Sequence, residues 1–91
     1  MRRTNKKTFV KKNILKVPKR AGVYALLNRS DRVLYVGKTK NLRRRLFEHL
    51  EYGDIPGAYY FRTYYRLSKS SEKYEDILIR KYRPKFNARP W

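Results

Sequence analysis

The sequence predicts a small α/β domain of the α+β kind, and three observations carry that prediction. Gly22–Leu27 and Val33–Val36 are apolar, β-branched runs separated by NRSDR, which has turn chemistry. The run AYYFRTYYRL, residues 58–67, alternates residue by residue in the period of a strand. Leu42, Leu46 and Leu50, and later Tyr74, Leu78 and Tyr82, recur every four residues, the spacing of a helical stripe.

The chain opens with a basic arm, residues 1–16, ahead of a single domain over 17–91. Residues 1–20 hold nine basic side chains and no acid, and the first eight residues have little to bury. The arm is therefore expected to be partly disordered, with TFVKKNILKV forming a short docked helix that ends before Pro18. The hairpin follows. A four-residue loop, Asn28–Asp31, would set Tyr24 opposite Tyr35, although other registers are open.

Asn41 is a good N-cap and Gly53 a good stop for the first long helix. At about 100° per residue, Arg45 and His49 flank its apolar stripe, Arg44, Glu48 and Glu51 point away, and Arg43 falls inside the apolar arc. Asp54–Gly57 reads as a loop. On the third strand, Tyr59, Phe61, Thr63, Tyr65 and Leu67 face one way and Tyr60, Arg62, Tyr64 and Arg66 the other. The second face suits a nucleic-acid platform and a snorkelling solvent face equally well. SKSS offers caps for a helix over 71–82, and Pro84 stops any continuation. Glu75 sits within the apolar arc of that helix, where a carboxylate is costly unless it is paired or binds a metal.

Composition narrows the function. Twenty-five Lys and Arg against seven Asp and Glu give a net charge of +18, with fourteen aromatics, nine of them Tyr. Such self-repulsion is not needed for folding, and a polyanion is its natural counterweight, with stacking surfaces supplied by the aromatics. Nucleic acid is the expected partner, with ribosomal RNA and a membrane surface as rivals on charge alone. With no Cys and one His, disulfides, thiolate zinc sites and most metal cages are excluded. Any metal must rest on carboxylate and water, which suits Mg2+ or Mn2+. No apolar run spans a membrane and MRRTNKK has no apolar segment behind it, so an intracellular, cytoplasmic or nucleoid-associated protein is expected.

Phosphodiester hydrolysis needs a phosphate clamp, a base for water and stabilisation of the leaving oxygen. Arg45 can fork onto phosphate, Glu75 can hold a metal, and Tyr24, Tyr35, Lys38 and His49 can orient or deprotonate water. Each has a plainer use: strand tyrosines usually pack, a lone His is usually a satisfied structural residue, and LRRRL is usually a solvated face. Their joint arrangement carries the case.

GVY at 22–24 and YVG at 35–37, followed by KTKNLRRRLFEH, a glutamate on a later helix and RPKFN, resemble the GIY-YIG nuclease superfamily. The wording is most similar to the N-terminal incision domain of the bacterial excision-repair nuclease and its small stand-alone relatives. The resemblance covers about residues 17–87. It implies a three-stranded, mostly antiparallel sheet with helices packed around it. It implies one-metal, in-line hydrolysis of DNA, leaving 3′-hydroxyl and 5′-phosphate ends. By position, Tyr24 and Tyr35 match the signature tyrosines, Arg45 the family arginine, Glu75 the metal ligand and Asn87 the supporting asparagine; Lys38 follows the second tripeptide as in the repair branch. Two positions depart: Ala21 stands where proline is common, and His49 where the repair branch usually has tyrosine. Tyr24, Tyr35 and His49 stay rival bases, with the balance towards a tyrosine helped by His49 and Lys38.

Lys38, Lys40, Arg43, Arg44, Arg45, Arg62, Arg66 and Lys85 are the expected nucleic-acid contacts. No appended base-reading module is recognisable, so low sequence specificity, steep salt dependence and selection by substrate shape are expected, with a partner protein as one route to targeting. The alternative is a non-catalytic nucleic-acid-binding module of the same fold. A structural, ribosome-associated basic protein stands third. No pattern sets the oligomeric state.

Overall fold

The computed structural model describes residues 2–65 and 68–87. Its elements run β1 (Arg2–Arg3), β2 (Lys7–Thr8), α1 (Lys11–Ile14), β3 (Gly22–Leu27), β4 (Val33–Thr39), α2 (Leu42–Tyr52), β5 (Tyr60–Tyr65) and α3 (Ser68–Tyr82). All pairings are antiparallel, in the order β1-β5-β3-β4, with β2 also on β5. The three expected strands thus form the centre, and the basic arm adds two short edge strands that its sequence did not announce. Edge pairing uses backbone groups, so it needs no side-chain alternation to reveal it. Thr4 strengthens the pairing: its amide donates to the Thr63 carbonyl at 3.0 Å, and the Thr63 amide donates to its hydroxyl at 3.1 Å.

β3 is GVYALL, and all six residues are buried because the strand is central and covered on both faces. On one face Tyr24, Leu26, Phe61 and Leu34 pack under α1 and α2, with Ile14, Leu42 and Leu46 fully buried. Fully burying one such side chain stabilises the fold by about 1.5–3 kcal/mol. On the other face Val23, Ala25, Leu27, Val33, Val36 and Tyr64 pack with Leu78 of α3.

The hairpin register corrects the sequence expectation. Leu26 lies opposite Tyr35 and Tyr24 opposite Gly37, with a bulge between Leu26 and Leu27. Asn28 organises the turn: its Oδ1 accepts from the amides of Ser30 and Arg32 at 2.9 Å each, and Asp31 takes a left-handed φ of 68°. The longer turn and the bulge shift pairing by two residues. A two-residue shift conserves faces, so Tyr24 and Tyr35 still share one.

Asn41 caps α2 by accepting from the Arg44 amide at 3.1 Å, and Gly53 ends it in the left-handed region at φ 58°. α3 starts at Ser68, earlier than the expected 71, because the first serine of SKSS already lies in the helix. The second face of β5 is no open platform. Tyr64 is buried with its ring 5.5 Å from Tyr74 of α3, and Arg62 is half-buried. The free edge of β4 is closed by the segment after α3, where the Phe86 amide donates to the Leu34 carbonyl at 2.9 Å. Among the described residues, no helix is long and apolar enough to cross a membrane.

Candidate active site

Strand alternation sends Tyr24 and Leu26 of β3 towards α2, and Val23, Ala25 and Leu27 towards α3. Tyr35 emerges from β4 on the Tyr24 side, two residues from Gly37. Gly37 must be glycine: a Cβ there would lie 2.5 Å from Cζ of Tyr24, whose ring crosses it. α2 delivers Arg45 and His49 to the same spot, one helical turn apart. Three rings then meet. Their centroids lie 6.1 Å apart for Tyr24 and Tyr35, 5.4 Å for Tyr24 and His49, and 5.2 Å for Tyr35 and His49.

Tyr24 Oη lies 2.7 Å from His49 Nε2, and both residues are almost wholly buried, at 1% and 2% exposure. The other ring nitrogen, His49 Nδ1, lies 2.8 Å from Oδ1 of Asp54. The cage meets solvent through Tyr35 and Arg45, which are half-buried. Arg45 also donates through Nη1 to Glu48 at 3.2 Å.

Burial pushes the Tyr24 phenol well up from its usual range; Tyr35 adds to the rise and Arg45 opposes it. Burial works against the Arg45 charge, but Tyr24, Glu48 and Tyr35 together raise its pKa. Tyr24 therefore keeps its proton in this site unless a neighbour takes it.

Of the residues expected at the site, Tyr24, Tyr35, Arg45 and His49 converge. Lys38 lies opposite Val23 in the register, with an exposed side chain on the α3 side of β4. Glu75 is half-buried on α3, which packs on β3 and β4. Asn87 is a backbone clamp: its Oδ1 accepts from the Val36 amide and its Nδ2 donates to the Val36 carbonyl, both at 2.8 Å. It thereby holds β4 between Tyr35 and Gly37.

Among the expected nucleic-acid contacts, Lys40, Arg44 and Lys85 are exposed. Arg44 lies 3.9 Å from Glu48, and Lys85 sits over the Phe86 ring. Arg43 has a structural use that explains its place in the apolar arc: its Nε donates to the Val17 carbonyl at 2.6 Å, tying α2 to the segment after α1. Arg62 is turned inward beside Tyr64, and its buried Nε has no hydrogen-bond partner among the described residues. Arg66 lies outside the described residues. Asp54 was missed by sequence reasoning, which read it as part of a loop; the available signal was an acid directly after the glycine that stops α2, close to the only histidine.

A divalent ion fits the donor chemistry. Among the described residues no cluster of three or more His, Cys, Asp or Glu can form a metal cage. A divalent ion would then rest on one or two carboxylates, with water and substrate oxygens completing the shell, which is how Mg2+ is usually held.

Comparison with known proteins shows the family. The family described as the UvrC-like GIY-YIG domain matches residues 20–56. UvrABC system protein C of Mesoplasma florum is 33% identical over 89 residues, covering 87% of this chain and 15% of that protein. The same protein of Dictyoglomus thermophilum is 33% identical over 90 residues, covering 87% and 14%. The chain thus spans about a seventh of the length of these curated relatives. Among solved structures, the GIY-YIG N-terminal endonuclease domain of UvrC from Thermotoga maritima bound to magnesium superposes with a TM-score of 0.72 at 32% identity, over 85% of this chain and 93% of that one. A point mutant of that domain bound to its catalytic divalent cation gives 0.75 at 32% identity, over 86% and 93%.

Sheet, flanking helices and paired tyrosines define an endonuclease domain of the GIY-YIG class. Within that class, the chain belongs to the UvrC-like GIY-YIG family. The resemblance drawn from GVY and YVG is borne out, as are its fold and its nuclease character.

Proposed function

We propose that this chain hydrolyses DNA phosphodiester bonds with one divalent ion, Mg2+ or Mn2+, held on the protein side by Glu75. The observation that carries the reading is the buried hydrogen bond of 2.7 Å between Tyr24 and His49 beside Arg45. A phenol with a raised pKa is a poor base by itself. Paired with an imidazole, it passes its own proton to Nε2 as it takes one from water, so no free phenolate accumulates. Tyr35, packed against both rings and reaching solvent, places the incoming water. Arg45 contacts the phosphate through its planar fork. A bound ion supplies positive charge for the leaving 3′ oxygen, and Lys38 adds to the field along β4. Asn87 keeps β4 in place.

The exposed basic residues support binding dominated by phosphate contacts, with low sequence specificity and selection by substrate shape. The UvrABC membership of the relatives favours a role in DNA repair with other proteins aiming the cut.

A cleavage assay tests the reading. Supercoiled plasmid and labelled single strands, flaps and junctions are incubated with the protein in Mg2+, Mn2+ or EDTA. Cleavage is expected with metal, none in EDTA, and at least about a hundredfold less for Glu75→Ala, with DNA binding retained. Salt-sensitive binding without cleavage on every substrate would instead indicate a binding module.

A further inference from the structure

We propose that Asp54 is a positioning residue that holds His49 as the Nδ1–H tautomer and leaves Nε2 free to accept the Tyr24 proton. The inference rests on the nuclease reading above and assigns a role to a residue which that reading did not use.

The argument begins at Gly53. Its left-handed φ of 58° ends α2, and its amide donates to the His49 carbonyl at 2.9 Å. The chain turns back over the last turn of the helix, and Asp54 is the first residue after the reversal. Ile55 follows it into the core beside Leu42 and Leu46, which anchors the turn from below. The backbone and the ring of His49 are thus gripped by two consecutive residues.

The chemistry of the contact sets the tautomer. An ionised carboxylate only accepts hydrogen bonds. At 2.8 Å from Asp54 Oδ1, Nδ1 must therefore carry the proton. In the neutral ring Nε2 is then an acceptor, and the group it faces at 2.7 Å is the Tyr24 hydroxyl. The opposite tautomer would turn an N–H towards Tyr24 and set an unprotonated nitrogen against a carboxylate. Among the described residues, the ring meets Tyr24 from β3, Tyr35 from β4 and Asp54 from the turn, with Arg45 one helical turn back on α2. Among these Asp54 is the carboxylate in contact with the ring. When Nε2 takes the proton, the imidazolium that forms keeps Asp54 as its counter-charge, as an orienting carboxylate does in a catalytic triad. The Asp54 side chain is 43% exposed while that of His49 is 1% exposed, so the carboxylate stays hydrated on its open side as it orients a ring held in the core.

His49 is the only histidine, so its imidazole resonances are unambiguous in the intact chain. In 15N-labelled protein at neutral to mildly alkaline pH, the Nδ1–H tautomer is expected. In Asp54→Ala the acceptor at Nδ1 is gone, and the preference for Nδ1–H is expected to be lost. An Nε2–H tautomer in the native chain, or an unchanged Nδ1–H preference in Asp54→Ala, overturns the proposal. Cleavage gives the second arm. Asp54→Asn and Asp54→Ala are expected to cut about 10- to 100-fold more slowly, as other supporting-shell losses do. In a His49→Gln background the same changes are expected to cost nothing further. Additive losses would mean that Asp54 acts on folding rather than through the ring. Should the native chain cut no DNA, the nuclease reading falls, while the tautomer measurement still decides the role of Asp54.

Discussion

The two faces of β3 share one backbone and are held together in different ways. On the α3 face, Val23, Ala25 and Leu27 meet Val33, Val36 and Leu78 in an apolar layer, with the Tyr64 phenol, Arg62 and Glu75 as the polar groups on that side. On the α2 face, Tyr24 and Leu26 meet Leu42 and Leu46, but the core there also encloses a phenol and an imidazole bonded to each other and to a carboxylate. An apolar layer tolerates small errors of fit; a buried polar chain must be satisfied at each link or it destabilises the core. One face therefore supplies stability with little geometric demand, while the other holds three polar groups in line. The site does not sit on a loop. Its tyrosine–histidine–aspartate chain is enclosed between the central strand and α2.

The largest expected effect tests the apolar layer. Leu27→Ala should lower unfolding free energy by about 2–5 kcal/mol in denaturant titration and leave the turnover of the folded fraction unchanged. A matching fall in turnover would break the division between the faces. Next comes the polar face. Tyr24→Phe should slow cleavage by at least about a hundredfold and cost about 1–3 kcal/mol of stability, because His49 Nε2 loses its partner. Tyr35→Phe should slow cleavage less; the reverse order would make Tyr35 the base.

A smaller effect belongs to the clamp that serves both faces. Asn87→Ala removes two hydrogen bonds to Val36 and should cost about 1–3 kcal/mol, with faster amide exchange at Val36 and slower cleavage as its signatures. The smallest is the response to alkali. Burial raises the phenols of Tyr24 and Tyr64, one on each face. Below about pH 10 both are protonated folded or unfolded, and their contribution is complete. Above it the unfolded chain releases protons that the folded chain retains, so stability should fall, by up to about 1.4 kcal/mol per pH unit for each tyrosine. Tyr64→Phe should flatten that slope in denaturation measured between neutral and strongly alkaline pH. An unchanged slope would show that this phenol is not held back by burial.

Much of the site was legible beforehand. Tyr24, Tyr35, Arg45 and His49 stood out because strand alternation and helical spacing are local properties, and both put these side chains on definable faces. The caps at Asn41 and Gly53 were legible for the same reason, since a cap needs only its own turn of backbone. The odd placement of Arg43 was visible too, but its cause was not, because its partner is the carbonyl of Val17, far back in the chain. The second face of β5 read as a platform because nothing in an alternating strand says whether a later helix will cover it.

By itself, then, the sequence determined the order and type of the main elements, the basic character, and the faces on which Tyr24, Tyr35, Arg45 and His49 lie. Those follow from short-range periodicity, composition and motif. Tertiary structure decided the hairpin register, through a turn and a bulge whose geometry depends on Asn28 and Asp31 together. It also decided that the arm pairs with β5, that Asn87 grips β4, and that Asp54 meets His49. Each of those contacts depends on where the backbone goes after a turn, and distances across a turn are not written in the spacing of residues along the chain.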